Sequence, residues 1–205
     1  MESSSSSLIL ASASPRRREL LLRAGFSFEV EPADIDEIVP EGVEPRFIAG
    51  ELARQKALHI AQQHRGENSL VLGADTIVAV EVSGRIRILG KPKDEAEAEQ
   101  FLCWLSDSRH QVITGVSVID IDREVSLVEA ERTFVTMRRI EPLEVSAYVG
   151  SGEWRGKAGG YAIQENADAF VTRLEEGGFD NVVGLPVELT TRMLAECGFT
   201  HTKAS

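Results

Sequence analysis

Leu8-Ile9-Leu10-Ala11-Ser12-Ala13-Ser14-Pro15-Arg16-Arg17-Arg18 is the stretch on which the fold turns. Its four leading apolar residues read as a buried strand. Ser14 then offers an oxygen to cap a helix, and Pro15 carries the fixed φ that suits a first helical residue. Apolar residues recur at Leu20, Leu21 and Ala24, and Gly25 closes the segment. Residues 26–31 alternate as a second strand. Strand, helix and strand in immediate succession open an α/β chain.

Outward from there, an acidic, proline-containing loop leads to a helix over residues 46–63, with Phe47, Ile48, Leu52, Ala53 and Leu58 as its apolar face. Residues 70–80 form the most apolar run and read as a central strand, turning at Ser83-Gly84 into a partner strand that ends near Leu89. A helix is expected over 93–105 with Asp94 near its start. Residues 111–120 and 125–136 read as a hairpin about Asp122-Arg123. A helix over 143–149 stopping at Gly150, a glycine-rich loop over 152–160, a strand over 169–174 and a helix over 187–196 ended by Gly198 complete the pattern. The expectation is an α/β fold, a mixed twisted sheet flanked by helices, in a single domain spanning 1–205 with residues 1–7 as a flexible lead.

The 205 residues are 42% hydrophobic and 27% charged, the balance of a globular protein with room for a substantial core. No apolar run reaches the ~18 residues of a spanning helix, and the serine-rich start lacks the basic residues of a secretory signal. A cytoplasmic protein without membrane contact is expected. The net charge of −11 opposes general binding to a nucleic-acid backbone, which depends on cations that neutralise phosphates. Cys103 and Cys197 lie in apolar helical patterns without metal-type spacing and read as small core thiols.

Ser12, Ser14, Arg16 and Arg17 place hydroxyls and cations where a strand hands over to a helix. Backbone N–H groups at such a start favour a phosphate, and an arginine adds a bidentate fork. An ordinary N-cap with solvated arginines would use the same residues. Asp75 interrupts the apolar run of the central strand, where a carboxylate costs several kcal/mol unless paired, hydrogen-bonded or metal-bound; a strand end reaching solvent is the alternative. Asp34, Asp36 and Glu37 supply oxygen ligands suited to magnesium or manganese, or simply form an acidic surface loop. Lys56 is mid-helix. Lys91, between Gly90 and Pro92, is the stronger anion-binding candidate of the two, and solvation is the usual state of either. Lys157 lies among glycines that permit close approach of a ligand. Gln164 can read a base edge through its paired donor and acceptor.

Together these segments resemble the Maf family of nucleotide pyrophosphatases. The resemblance rests on Ser12 to Arg17, Asp34 to Glu37, the helix with Lys56, Gly73-Ala74-Asp75-Thr76, Gly90-Lys91-Pro92, Thr114-Gly115-Val116, Glu153-Trp154, Lys157 to Gln164, and Val182 to Pro186. It covers about residues 8 to 197 and departs at Asp107, where the family commonly has glycine. It implies an inosine triphosphatase-like fold with two lobes around a cleft. It also implies Asp75 as catalytic base, Glu37 and Asp75 as ligands of Mg2+ or Mn2+, and Lys56 and Lys91 as polyphosphate contacts. Arg16, Thr76 and Gln164 match the branch acting on dTTP and UTP, and a homodimer is common in the family. The expected activity is hydrolysis of a nucleoside triphosphate to the monophosphate and pyrophosphate. A non-catalytic nucleotide-binding regulator of septum formation and a nucleotidyltransferase are the rival readings.

Overall fold

The computed structural model describes residues 6–35, 43–164 and 166–199. In chain order they form β1 (Ser7–Leu10), α1 (Pro15–Arg23), β2 (Glu29–Val30), α2 (Pro45–Gln63), β3 (Ser69–Val82), β4 (Arg85–Leu89), α3 (Glu95–Leu105), β5 (Arg109–Asp120), β6 (Val125–Met137), α4 (Pro142–Ser151), β7 (Val171–Glu175), α5 (Phe179–Val183) and α6 (Val187–Glu196). Short 3-10 turns cover Ala158–Gly160 and Asn166–Phe170. Seven strands make one sheet in the order β2-β1-β3-β5-β6-β7, with β4 paired to β3. It is mixed, as expected: β1 runs parallel to β2 and β3, whereas β4 is antiparallel to β3 and β7 to β6.

The chain divides into two compact units, one of residues 1–75, 114–131 and 184–205, the other of residues 76–113 and 132–183. In the first, strand alternation sorts side chains onto two apolar layers. Leu8, Leu10, Leu70 and Leu72 pack with Leu21 of α1 and Leu189 and Met193 of α6. Ile9, Ala11 and Val71 point the other way, onto Ala57, Ile60 and Ala61 of α2. Helices on both faces explain why residues 69–75 of β3 are buried without interruption. The second unit closes around Val78, Leu89, Leu102, Leu105, Met137, Tyr148, Trp154 and Phe170.

The turn at Ser83-Gly84 forms as expected, both residues having positive φ, 53° and 74°, the conformation of a two-residue hairpin that follows strand twist. Several expectations need correction. Of the expected apolar face of α2, Ile48, Leu52 and Ala53 are buried, but Phe47 and Leu58 are 61% and 36% exposed, and Ala49 and Ala57 join the buried face. Cys103 is exposed, while Cys197 is buried. Helix α4 passes through Gly150 and ends at Gly152, whose φ of 76° gives the left-handed cap. Strand β2 is shorter than expected because the Phe26 amide still donates to the Leu21 carbonyl, at 3.3 Å, in the turn that closes α1. Strand β1 begins at Ser7, inside the stretch read as a flexible lead, with the Ser7 and Ser69 hydroxyls 2.7 Å apart.

Candidate active site

The site grows from the way α2 lies on the sheet. A Cβ added at Gly73 of β3 would sit 2.4 Å from the Ala53 carbonyl oxygen, and one at Gly115 of β5 would sit 2.1 Å from that of Ala49. Neither position tolerates a side chain. Glycine on the strands and alanine at every fourth helical position therefore allow backbone to approach backbone. Val71, Gly73 and Asp75 share a strand face by their spacing of two, and Val71 packs on Ala57. Asp75 is thus directed toward α2, where Lys56 precedes Ala57. The Lys56 ammonium donates to Asp75 Oδ1 in a close ion pair. Both residues are buried, at 8% and 7% exposure, where an ion pair that loses one partner is strongly destabilised.

Alongside, the β1 ladder reaches Leu10 opposite Leu72, and Ala11 continues it by donating to the Leu72 carbonyl at 2.8 Å. The chain then leaves the sheet one short step along β3 from Asp75. Ser12 is buried and Ser14 caps α1, its hydroxyl accepting from the Arg17 amide at 3.4 Å. Arg17 uses Nε to donate to the Gly184 carbonyl at 2.7 Å and Nη1 to donate to the Ser12 hydroxyl at 3.2 Å. Its guanidinium consequently braces this turn against the segment before α6. Arg16, next to it, is half-buried.

In the second unit, Thr76 follows Asp75 on β3 and is half-buried. Lys157 is buried at 6% exposure, whereas Lys91 and Gln164 are exposed. The Gly159 amide donates to the Gly90 carbonyl at 2.9 Å, which holds the segments carrying Lys157 and Lys91 side by side. Lys91, the stronger candidate of the two lysines by its place between Gly90 and Pro92, is thus the exposed one, and Lys56 is the buried, paired cation.

Glu37 and Asp36 lie outside the described residues. Asp34 is exposed. Among the described residues no group of three or more His, Cys, Asp or Glu side chains is placed to hold a metal ion. Asp75 provides one hard oxygen donor, compatible with a cation that takes its remaining ligands from water, phosphate and one further carboxylate.

A second buried polar group escaped the sequence reading. His110, at the start of β5, places Nε2 2.8 Å from the Tyr161 hydroxyl, and both residues are buried. Burial holds the His110 imidazole down to about 3 and pushes the Tyr161 phenol upward. The signal was present in the sequence, a histidine before the apolar run of β5 and a tyrosine closing a glycine loop, but nothing local links positions so far apart.

Residues 7–197 match the family described as Maf-like protein. The chain is 46% identical over 199 residues to the dTTP/UTP pyrophosphatase of Brucella abortus (strain 2308), covering 94% of this chain and 92% of that one. It is 47% identical to the dTTP/UTP pyrophosphatase of Cereibacter sphaeroides, covering 97% and 98%, and 44% identical to that of Zymomonas mobilis, covering 98% and 96%. Among solved structures, a HAM1 protein from Coxiella burnetii aligns with a TM-score of 0.49 at 16% identity, over 93% of this chain and 99% of that one.

Proposed function

Since this chain belongs to the Maf-like protein family, we propose that it hydrolyses nucleoside triphosphates, dTTP and UTP foremost, to the monophosphate and pyrophosphate. The observation that carries the chemistry is the buried Lys56–Asp75 pair. A buried carboxylate held in one orientation by an ammonium is placed to act as a general base. Because Lys56 engages Oδ1, the proton of the attacking water goes to Oδ2. The water oxygen bonds to the α-phosphorus, the bond from that phosphorus to the bridging oxygen breaks, and pyrophosphate leaves with the electron pair.

Attack brings a nucleophile toward several anionic oxygens, so cations must meet them. In this reading Ser12, Ser14, Arg16 and the N-terminus of α1 face phosphate oxygens, and Arg17 holds that turn in shape. In the second unit Lys91 and Lys157 neutralise charge, while Thr76 and Gln164, together with Arg16, select the pyrimidine. Asp75 and Glu37 would hold a Mg2+ or Mn2+ ion, which when bound supplies further positive charge to the phosphoryl oxygens. Homodimer formation and a cytoplasmic setting complete the reading; among the described residues no helix is long and apolar enough to cross a membrane.

The test is pyrophosphate release from dTTP, UTP, dCTP and the purine triphosphates, with magnesium, manganese or chelator, on the wild type and on Asp75→Asn. Metal-dependent release favouring dTTP and UTP, reduced about 100-fold or more in the variant, is the expected outcome. Saturable binding without release from any triphosphate would replace the enzyme by a nucleotide-binding regulator.

A further inference from the structure

The hydrogen bonds around His110 have only one consistent direction. Ser108 Oγ lies 2.8 Å from the Leu105 carbonyl oxygen, which can only accept, so the single hydroxyl proton of Ser108 is committed there. Ser108 Oγ also lies 3.2 Å from His110 Nδ1. With its proton already used, the hydroxyl accepts and Nδ1 carries the hydrogen. Nε2 of the neutral ring is then a bare acceptor, and the Tyr161 hydroxyl 2.8 Å away donates to it. Donation therefore runs from Tyr161 to His110, from His110 to Ser108 and from Ser108 to the end of α3. The ring planes of His110 and Tyr161 meet edge to face, at 89°, so packing and hydrogen bonding agree on one geometry.

Tyr161 ends the glycine segment of the second unit. Gly159 and Gly160 both have positive φ, 68° and 73°, and a Cβ at Gly159 would come within 2.8 Å of Val78. One anchor of this segment is the Gly159 amide on the Gly90 carbonyl; the other is the Tyr161 hydroxyl on His110. Lys157 stands just before the first anchor, and Gln164 follows the second after the buried Ala162 and Ile163.

We propose that Tyr161, held by His110 and Ser108, is a positioning residue that fixes the segment carrying Lys157 and Gln164 and thereby sets the choice of base. The inference rests on the pyrophosphatase reading. Loss of the hydroxyl leaves His110 Nε2 buried without its donor, and the segment gains freedom that substrate binding must then remove. Tyr161→Phe should raise KM for dTTP about tenfold, leave kcat within about threefold, and narrow the kcat/KM preference for dTTP over dGTP. Ser108→Ala, which removes the acceptor of Nδ1–H, should shift both in the same direction.

The deciding experiment joins kinetics of wild type, Tyr161→Phe and Ser108→Ala with 15N NMR of the wild-type histidines at neutral pH. A neutral His110 protonated on Nδ1, with the KM-weighted loss above, supports the inference. Protonation on Nε2 overturns it even where Tyr161→Phe fails to fold. Unchanged KM and base preference in a folded Tyr161→Phe enzyme overturn it while leaving the pyrophosphatase reading intact. Absence of pyrophosphate release from the wild type removes that reading and this inference with it.

Discussion

At the scale of single residues, Lys56 and Asp75 stand or fall together. The side chains of both are only 10% exposed, so removing one charge leaves the other buried without compensation. Lys56→Met should lower the unfolding free energy by about 3 kcal/mol, measured by urea denaturation. Adding Asp75→Asn to that variant should recover part of the loss, because the stranded carboxylate is gone. Asp75→Asn alone keeps an oxygen that can accept from the ammonium, so it should cost less stability than Lys56→Met while losing about two to four orders of magnitude in turnover. If Lys56→Met were as stable as wild type, the pair would be solvated and the proposed base would need another source of activation. The pairing was half legible in the sequence. Asp75 announced itself by interrupting an apolar run, but Lys56, flanked by Gln55 and Ala57 in mid-helix, looked like a surface lysine, and only the depth at which α2 sits reveals otherwise.

That depth is a property of elements. Ala49, Ala53 and Ala57 recur every four residues on α2 and meet Gly73 and Gly115 on β3 and β5. Gly73→Ala inserts a methyl 2.4 Å from the Ala53 carbonyl and 2.9 Å from Ala57 Cβ. The helix must lift, and overpacking of this kind costs about 1–3 kcal/mol. A control such as Gly66→Ala would not serve, since Gly66 has φ of 85° and is strained by any side chain; Gly90→Ala meets nothing within 4 Å and is the proper comparison. Gly73→Ala should lower both activity and melting temperature, whereas Gly90→Ala should leave the melting temperature close to wild type. Equal activity in Gly73→Ala and wild type would mean that the spacing of α2 does not govern the pair. Strong periodicity made β1, α1, β3, the β3–β4 turn and α6 readable in advance. Periodicity placed Ile48, Leu52 and Ala53 on the buried side of α2 but also put Phe47 and Leu58 there, which are exposed; it could not show that the closest contact is alanine against glycine. Helix α5 went unread because Phe179–Val183 is too short to display a helical period.

For the molecule as a whole, the two units carry histidines whose protonation acts on stability with opposite sign. In the first, His64 at the end of α2 places Nδ1 2.9 Å from Glu67 and Nε2 2.7 Å from Glu31. The protonated ring can donate to both carboxylates, and the hydrogen bonds to Glu67 and then Glu31 raise its pKa above the ordinary value. A folded pKa raised in this way gives stability that is fully present below about 6.5, the unfolded value, and is lost as pH rises through the folded one. In the second unit His110 is held down to about 3 by burial, so the folded state refuses a proton that the unfolded state takes. Its contribution is complete above about 6.5 and falls by up to about 1.4 kcal/mol for each pH unit below that. Hydrogen exchange read by mass spectrometry, corrected for intrinsic rates, separates the two. Opening free energies for amides of β5 near His110 should fall on going from pH 7 toward roughly pH 5. Those at the end of α2 and in β2, joined through His64 and Glu31, should hold or rise over the same interval. His64→Gln should abolish the second trend and leave the first unchanged, because the two histidines share no partner. Parallel slopes in both regions of the wild type would show that a general acid effect, and not these two side chains, governs stability across that range.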